Sequence, residues 1–296
     1  MKDQRPIWEG IAKGIVLFTI FLVVYGNYLL AGVLGEFDGV QLYVLASMSA
    51  FVCALLLQGE KIALLYRQRE FLTFRKELLI LSGIFFLLGF MKLWYTLLFP
   101  ADSGLLSPFS GAVLAGNTDL LLMFGAGTLL VDGFSVKANT ERQMRKSSLQ
   151  WHLFLLVFLF ATDYVNLCFF QSAFSRRNSF VYLLYGFNLL RILVCALGMQ
   201  AERIRDILRS RTAFCFSGVS AVLGLSSLLL ATIKLGLSLF WHSADSSVIQ
   251  AINNSDLWQV AYTFAAGLLL VESFQRRSPP TEEGSPIMEA AAKKTS

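Results

Sequence analysis

VCALLLQGEKIALLYRQR, residues 52–69, returns without a gap at 194–211 as VCALGMQAERIRDILRSR. The offset is 142 residues, nine of the eighteen positions are identical, and Lys61 becomes Arg203 with its charge kept. A second block, FGAGTLLVDGF at 124–134, returns at 264–274 as FAAGLLLVESF, offset by 140. Self-similarity at a fixed spacing is the mark of a duplicated structural unit. All four blocks close an apolar stretch and lead into a basic one, so the unit expected is a membrane-embedded one.

Composition points the same way. Of the 296 residues, 55% are hydrophobic and 15% charged, with a mean hydropathy of +0.60. Soluble domains carry about 25% charged residues. Cys53, Cys168, Cys195 and Cys215 all lie inside apolar stretches. That placement reads as small buried hydrophobes, not as a disulfide framework or a zinc site.

Eight apolar stretches run near 13–34, 40–58, 78–99, 110–131, 151–173, 179–200, 213–241 and 257–273. Each approaches the roughly 20 residues needed to cross a hydrocarbon core of about 30 Å. The expected fold is an all-α polytopic membrane protein of about eight transmembrane helices, arranged as two parallel four-helix repeats. The first repeat spans 1–147 and the second 148–275. The polar, Pro/Ser-rich residues 276–296 are expected to form a disordered cytoplasmic tail, with no specific docking motif. Lys2, Arg5 and Lys13 flank the first span as they would a signal peptide. Its apolar run is longer than a signal h-region, and Tyr25-Gly-Asn27 reappears in the fifth span as Tyr164-Val-Asn166. The first span is therefore expected to be retained.

With the N-terminus inside, segments 1–13, 59–77, 134–149, 201–212 and 275–296 face the cytoplasm. They hold 3, 5, 4, 4 and 4 basic residues, 20 of the 25 in the chain. Both termini are then cytoplasmic, and an even number of spans per unit makes the units parallel rather than inverted. Compact loops suit a plasma (inner) membrane. The net charge of +5 and pI near 9.0 follow from this topology and from anionic lipid headgroups at the basic loops, Arg67, Arg69, Arg75 and Lys76 included. No basic patch interleaved with aromatics marks a nucleic-acid partner. A protein partner or a homo-oligomer is compatible with the Phe-rich surface.

Ionisable groups inside a span cost about 2.5–3.5 kcal/mol each unless paired or hydrated. Lys92 and Lys234 are related by the 142 offset, in the third and seventh spans. Beyond each following outer loop comes a similar triplet, Asn117-Thr-Asp119 and Asn254-Ser-Asp256. Antiparallel neighbours would bring Lys92 near the depth of Asp119, and Lys234 near that of Asp256. Aligning the triplets requires a three-residue difference from the later FxAGxLLV block. Tyr25, Asn27, Tyr164 and Asn166 lie toward the same outer side, so each unit holds a candidate substrate- or ion-binding cluster. The alternative is that each lysine snorkels to a headgroup and only pins helix depth. Asp163 and Arg191 occur in the second unit alone, where the first has Val24 and Ser49. Joint absence suits a mutual intramembrane ion pair.

Enzyme signatures are mostly missing, and an intramembrane hydrolase using scattered Ser and Asp, the third hypothesis behind transport and scaffold, has no constellation to support it. His152 and His242 fall on opposite membrane faces, so no metal or bis-histidine haem site is expected, and no P-loop, Rossmann pattern or nucleophile elbow occurs. No catalytic residue and no cofactor is assigned. The leading functional expectation is a small-solute or ion transporter or channel. The alternative is a non-catalytic scaffold or assembly subunit of a membrane complex.

Overall fold

The computed structural model describes residues 5–33, 39–67, 72–98, 117–136, 147–175, 179–209, 214–240, 252 and 255–276. They are helical apart from short connections and four three-residue strands. The first half comprises α1 (Arg5–Val33), α2 (Gly39–Leu57), α3 (Gly59–Arg67), β1 (Leu72–Phe74), α4 (Lys76–Gly89), α5 (Met91–Leu98), α6 (Thr118–Asp132) and β2 (Phe134–Val136). The second comprises α7 (Ser147–Ser175), α8 (Ser179–Met199), α9 (Ala201–Arg209), β3 (Phe214–Phe216), α10 (Gly218–Phe240), α11 (Asp256–Glu272) and β4 (Phe274–Arg276). Residues 110–116 of the fourth expected span, the outer loops and 277–296 of the tail lie outside the described residues.

Each half has its own central helix. α6 packs on α2 and α4, and α11 packs on α8 and α10. α1 lies on α2, and α7 on α8. The halves meet where α1 packs on α10 and α11, α6 touches α8, α11 touches α2, and the rings of Phe124 and Phe264 approach to 5.0 Å. Every residue from Thr118 to Leu129 in α6 and from Leu257 to Leu269 in α11 is buried. Small residues make that density possible. A Cβ on Gly127 would stand 2.7 Å from the Ala54 Cβ, and one on Gly267 would stand 2.6 Å from the Ala196 Cβ. Elsewhere the two halves exchange volume. A Cβ on Gly125 would meet Phe85 at 2.7 Å, where the offset positions hold Ala265 and Ser227. One on Gly133 would meet Leu79 at 2.5 Å, where they hold Ser273 and Ala221.

The outer helices turn apolar faces outward. Ile11, Ile15, Phe18 and Leu22 of α1 are exposed, as are Ile80, Ile84 and Leu87 of α4 and Val222, Leu225 and Leu229 of α10. Their spacing follows one helical face, which in a water-soluble protein would be polar. Among the described residues, Trp8–Leu30 is the one unbroken helix long and apolar enough to cross a bilayer. A single such helix near an N-terminus also suits a signal sequence or a core helix. Only 22% of its apolar window is buried, which sets it apart from a core helix. Gln41–Leu57 with Gly59–Arg67 has the same character but bends by 61° between its parts.

Two features differ from the sequence expectation. The segments 59–77, 134–149 and 201–212, expected on the cytoplasmic side, are not simple loops. They carry α3, α9 and one antiparallel ribbon, with Phe74 opposite Phe134; a second ribbon, with Phe216 opposite Phe274, joins the start of the expected seventh span to the residues after α11. Two-stranded ribbons are marginal alone. Here the Arg75 N–H donates to Gly133 O and the Ser217 N–H to Ser273 O, both at 2.8 Å, and each Phe pair packs edge to face. The third span is also broken, between α4 and α5 at Phe90. Gly89, a weak helix former, precedes the break, whereas Ala231 and Thr232 stand at the offset positions inside the continuous α10.

Candidate functional site

Lys92 sits in the first turn of α5, and Lys234 lies six residues before the end of α10, about 9 Å along the helix. Each reaches the N-terminal turn of the central helix beside it. Lys92 Nζ is 3.3 Å from Asp119 Oδ1, and Lys234 Nζ is 3.0 Å from Asp256 Oδ1 and 3.3 Å from Ser255 O. A carboxylate in the first helical turn also faces the positive end of the helix dipole. In both halves a tyrosine ring lies under the ammonium, Tyr43 at 5.7 Å and Tyr185 at 5.9 Å. The Tyr43 hydroxyl donates to Gly89 O at 2.6 Å, at the helix break itself.

The two pairs differ in what they bury. The Lys92 side chain is 21% exposed and Asp119 5%, whereas Lys234 is 4% exposed and Asp256 59%. Helical register explains the inversion. Counted back from Phe124 and Phe264, Asp119 corresponds to the buried Gln259, while Asp256 lies three residues nearer the helix start. The aspartates of the two triplets thus occupy different heights on otherwise equivalent helices. Asn117 is half-buried, and Asn254 lies outside the described residues.

Arg191 and Asp163 meet at 2.7 Å, with side chains 1% and 5% exposed. A second guanidinium nitrogen of Arg191 donates to Thr118 Oγ1 at 3.3 Å. Thr118 precedes Asp119, so one helical turn receives Lys92 from α5 and Arg191 from α8. In the first half, Ser49, the counterpart of Arg191, donates from its Oγ at 3.2 Å to the Oδ1 of Asn27, the counterpart of Asn166, a neutral contact where the second half has a charged one. Asn166 is buried close to Asp163 along α7, while Tyr164 is exposed. Tyr25 stacks between Phe21 and Tyr28. Arg191 Nε, Asn27 Nδ2, Asn166 Oδ1 and Thr263 Oγ1 are buried with no hydrogen-bond partner among the described residues. Such atoms are costly unless something polar reaches them.

Tyr43, Tyr185 and Thr118 escape the sequence reading. The two tyrosines keep the 142 offset within Leu-Tyr dipeptides, a signal obtained by extending the first repeated block backward. Thr118 lies inside the Asn117-Thr-Asp119 triplet, which marks its place but not its contact with Arg191.

A second charged cluster lies at the opposite ends of these helices. Lys13 Nζ is 2.8 Å from Glu9 and 3.1 Å from Glu272 and donates to Ser220 Oγ at 3.0 Å, joining α1 to α10 and α11. Lys61 pairs with Asp132, and Arg203 approaches Glu272 at 3.9 Å. Desolvation pushes the Glu60 carboxyl above its ordinary range; Lys13 opposes the shift, and the carboxylates of Glu272 and Glu9 add to it. Among the described residues no group of three His, Cys, Asp or Glu side chains is placed to hold a metal ion. In comparisons with known proteins, the chain matches no family model, no curated protein and no solved structure.

Proposed function

We propose that the chain is a polytopic protein of the plasma membrane, two parallel four-helix units with both termini cytoplasmic, which passes a small solute or ion between its halves. The membrane reading is supported by the exposed apolar faces of α1, α4 and α10. α6 and α11, at 15 and 17 residues, are short for a bilayer, yet their neighbours shield them from lipid. The two-unit reading draws on contacts repeated at the offset, Gly127 on Ala54 and Gly267 on Ala196, and on the Phe124–Phe264 contact between corresponding residues.

The observation that carries the transport reading is the run of polar groups across four helices, from Lys92 through Asp119 and Thr118 to Arg191 and Asp163. Charges at that depth are expensive, and polar side chains left without partners point to water or a solute reaching them. Lys234, enclosed by Asp256 and Ser255 O, favours the scaffold reading for its own half. Proteoliposomes challenged with a panel of salts and small neutral solutes, read by light scattering, test the proposal. A permeant solute whose flux falls at least tenfold in Lys92→Ala/Lys234→Ala supports it. No flux from a folded, incorporated protein sinks it in favour of the scaffold.

A further inference from the structure

We propose that a groove at the inner ends of α7 and α8 holds the acyl chain of an anionic phospholipid, with Arg205 of α9 beside its headgroup. The inference rests on the membrane reading above. The groove encloses about 570 Å³ and is lined by Trp151, Phe154 and Phe158 of α7, Leu197 of α8, and Ile204 and Leu208 of α9, with Arg205 at its edge. The indole N–H of Trp151 is already used, donating to Gly198 O at 2.9 Å. Apart from the arginine, this wall presents hydrocarbon.

Charge and polarity together select the occupant. Phe154 is 55% exposed and Leu208 80%, so the groove opens on the outward apolar surface. Arg205 is exposed on the helix that leaves the expected membrane-spanning segment, at the level where inner-leaflet phosphates lie. A soluble anion would gain nothing from the aromatic floor. A peptide would need partners for its backbone in a low-dielectric setting, and the floor offers none. An acyl chain joined to a negative headgroup uses both parts. The first half lacks this combination. Its offset positions carry Ala12 and Ile15 for Trp151 and Phe154, and Ala63 for Arg205.

The test places the full chain in vesicles containing a minor fraction of phospholipid with brominated acyl chains, which quench nearby tryptophans. The labelled lipid carries either a phosphoglycerol or a phosphocholine headgroup. Two variants keep either Trp151 or Trp8 as the outward reporter; Trp8 is 67% exposed on α1 and samples bulk lipid. Trp151 is expected to show about a fivefold preference for the anionic lipid, as one arginine near a headgroup supplies. Arg205→Gln should abolish that preference, while Trp8 follows mole fraction throughout. Equal quenching of Trp151 by both lipids, or a preference that survives Arg205→Gln, overturns the site while quenching of Trp8 upholds the membrane reading. A Trp151 shielded from every lipid and cross-linked to a second copy also overturns it. Failure of the chain to float with the vesicles sinks the membrane reading, and the site with it.

Discussion

Arg191→Ser installs the residue that position 49 carries in the first half and leaves Asp163 without its partner. Both side chains are at most 5% exposed and meet at 2.7 Å, so little solvent can take over from the lost guanidinium. Removing one member of a buried pair costs about 3–5 kcal/mol, because the other charge stays buried. Asp163→Val, which copies Val24, strands Arg191 in turn; the single contact to Thr118 offsets only part of the loss. The double variant removes both charges and recreates the neutral combination of the first half. It should lose less than either single variant, giving a coupling of at least about 3 kcal/mol, more than a hundredfold in the unfolding equilibrium. Reversible unfolding in mixed micelles, run on all four proteins, measures the cycle. Additive single effects, or a loss below about 1 kcal/mol for Arg191→Ser, would refute the reasoning.

Other consequences are local. Gly267→Ala should destabilise by about 1–3 kcal/mol, because its methyl would lie 2.6 Å from the Ala196 Cβ. Ala196→Gly should restore much of the loss in the same unfolding assay, and no rescue would mean that the helices do not cross there. Lys92→Met strands the buried Asp119 and should cost about 2–4 kcal/mol, whereas Lys234→Met leaves an Asp256 that is 59% exposed and should cost under about 1 kcal/mol. Equal losses would contradict the difference in register between the two pairs.

Much of the fold is legible because long apolar runs leave a helix few alternatives, and the longer described helices fall on those runs, whereas α3 and α9 lie in the basic segments between them. Lys92 and Lys234 stand out by charge alone, and the joint absence of Asp163 and Arg191 from the first half points to their meeting. Other features leave weaker traces. A three-residue strand such as Phe214–Phe216 is too short to show periodicity, and its partner lies about sixty residues away, beyond two helices. Asn-Thr-Asp and Asn-Ser-Asp look alike in sequence yet their aspartates sit at different heights, because helical register follows the packed glycines, not the polar triplets. Tyr43 and Tyr185 carry no charge to draw attention, although their spacing is that of the lysines above them. The exchange of volume between Gly133 with Leu79 and Ser273 with Ala221 becomes readable only once the helices are known to touch.

The orientation of the two halves in a membrane is the claim on which the rest depends. With Cys53, Cys168, Cys195 and Cys215 replaced, single cysteines introduced at Asp102, Asp245, Arg69 and Arg142 can be labelled in sealed cells with an impermeant maleimide. Positions 102 and 245 should label from outside, and 69 and 142 only after the membrane is opened. Opposite accessibility of 102 and 245 would contradict the parallel arrangement, and equal labelling of all four in a soluble fraction would contradict the membrane itself.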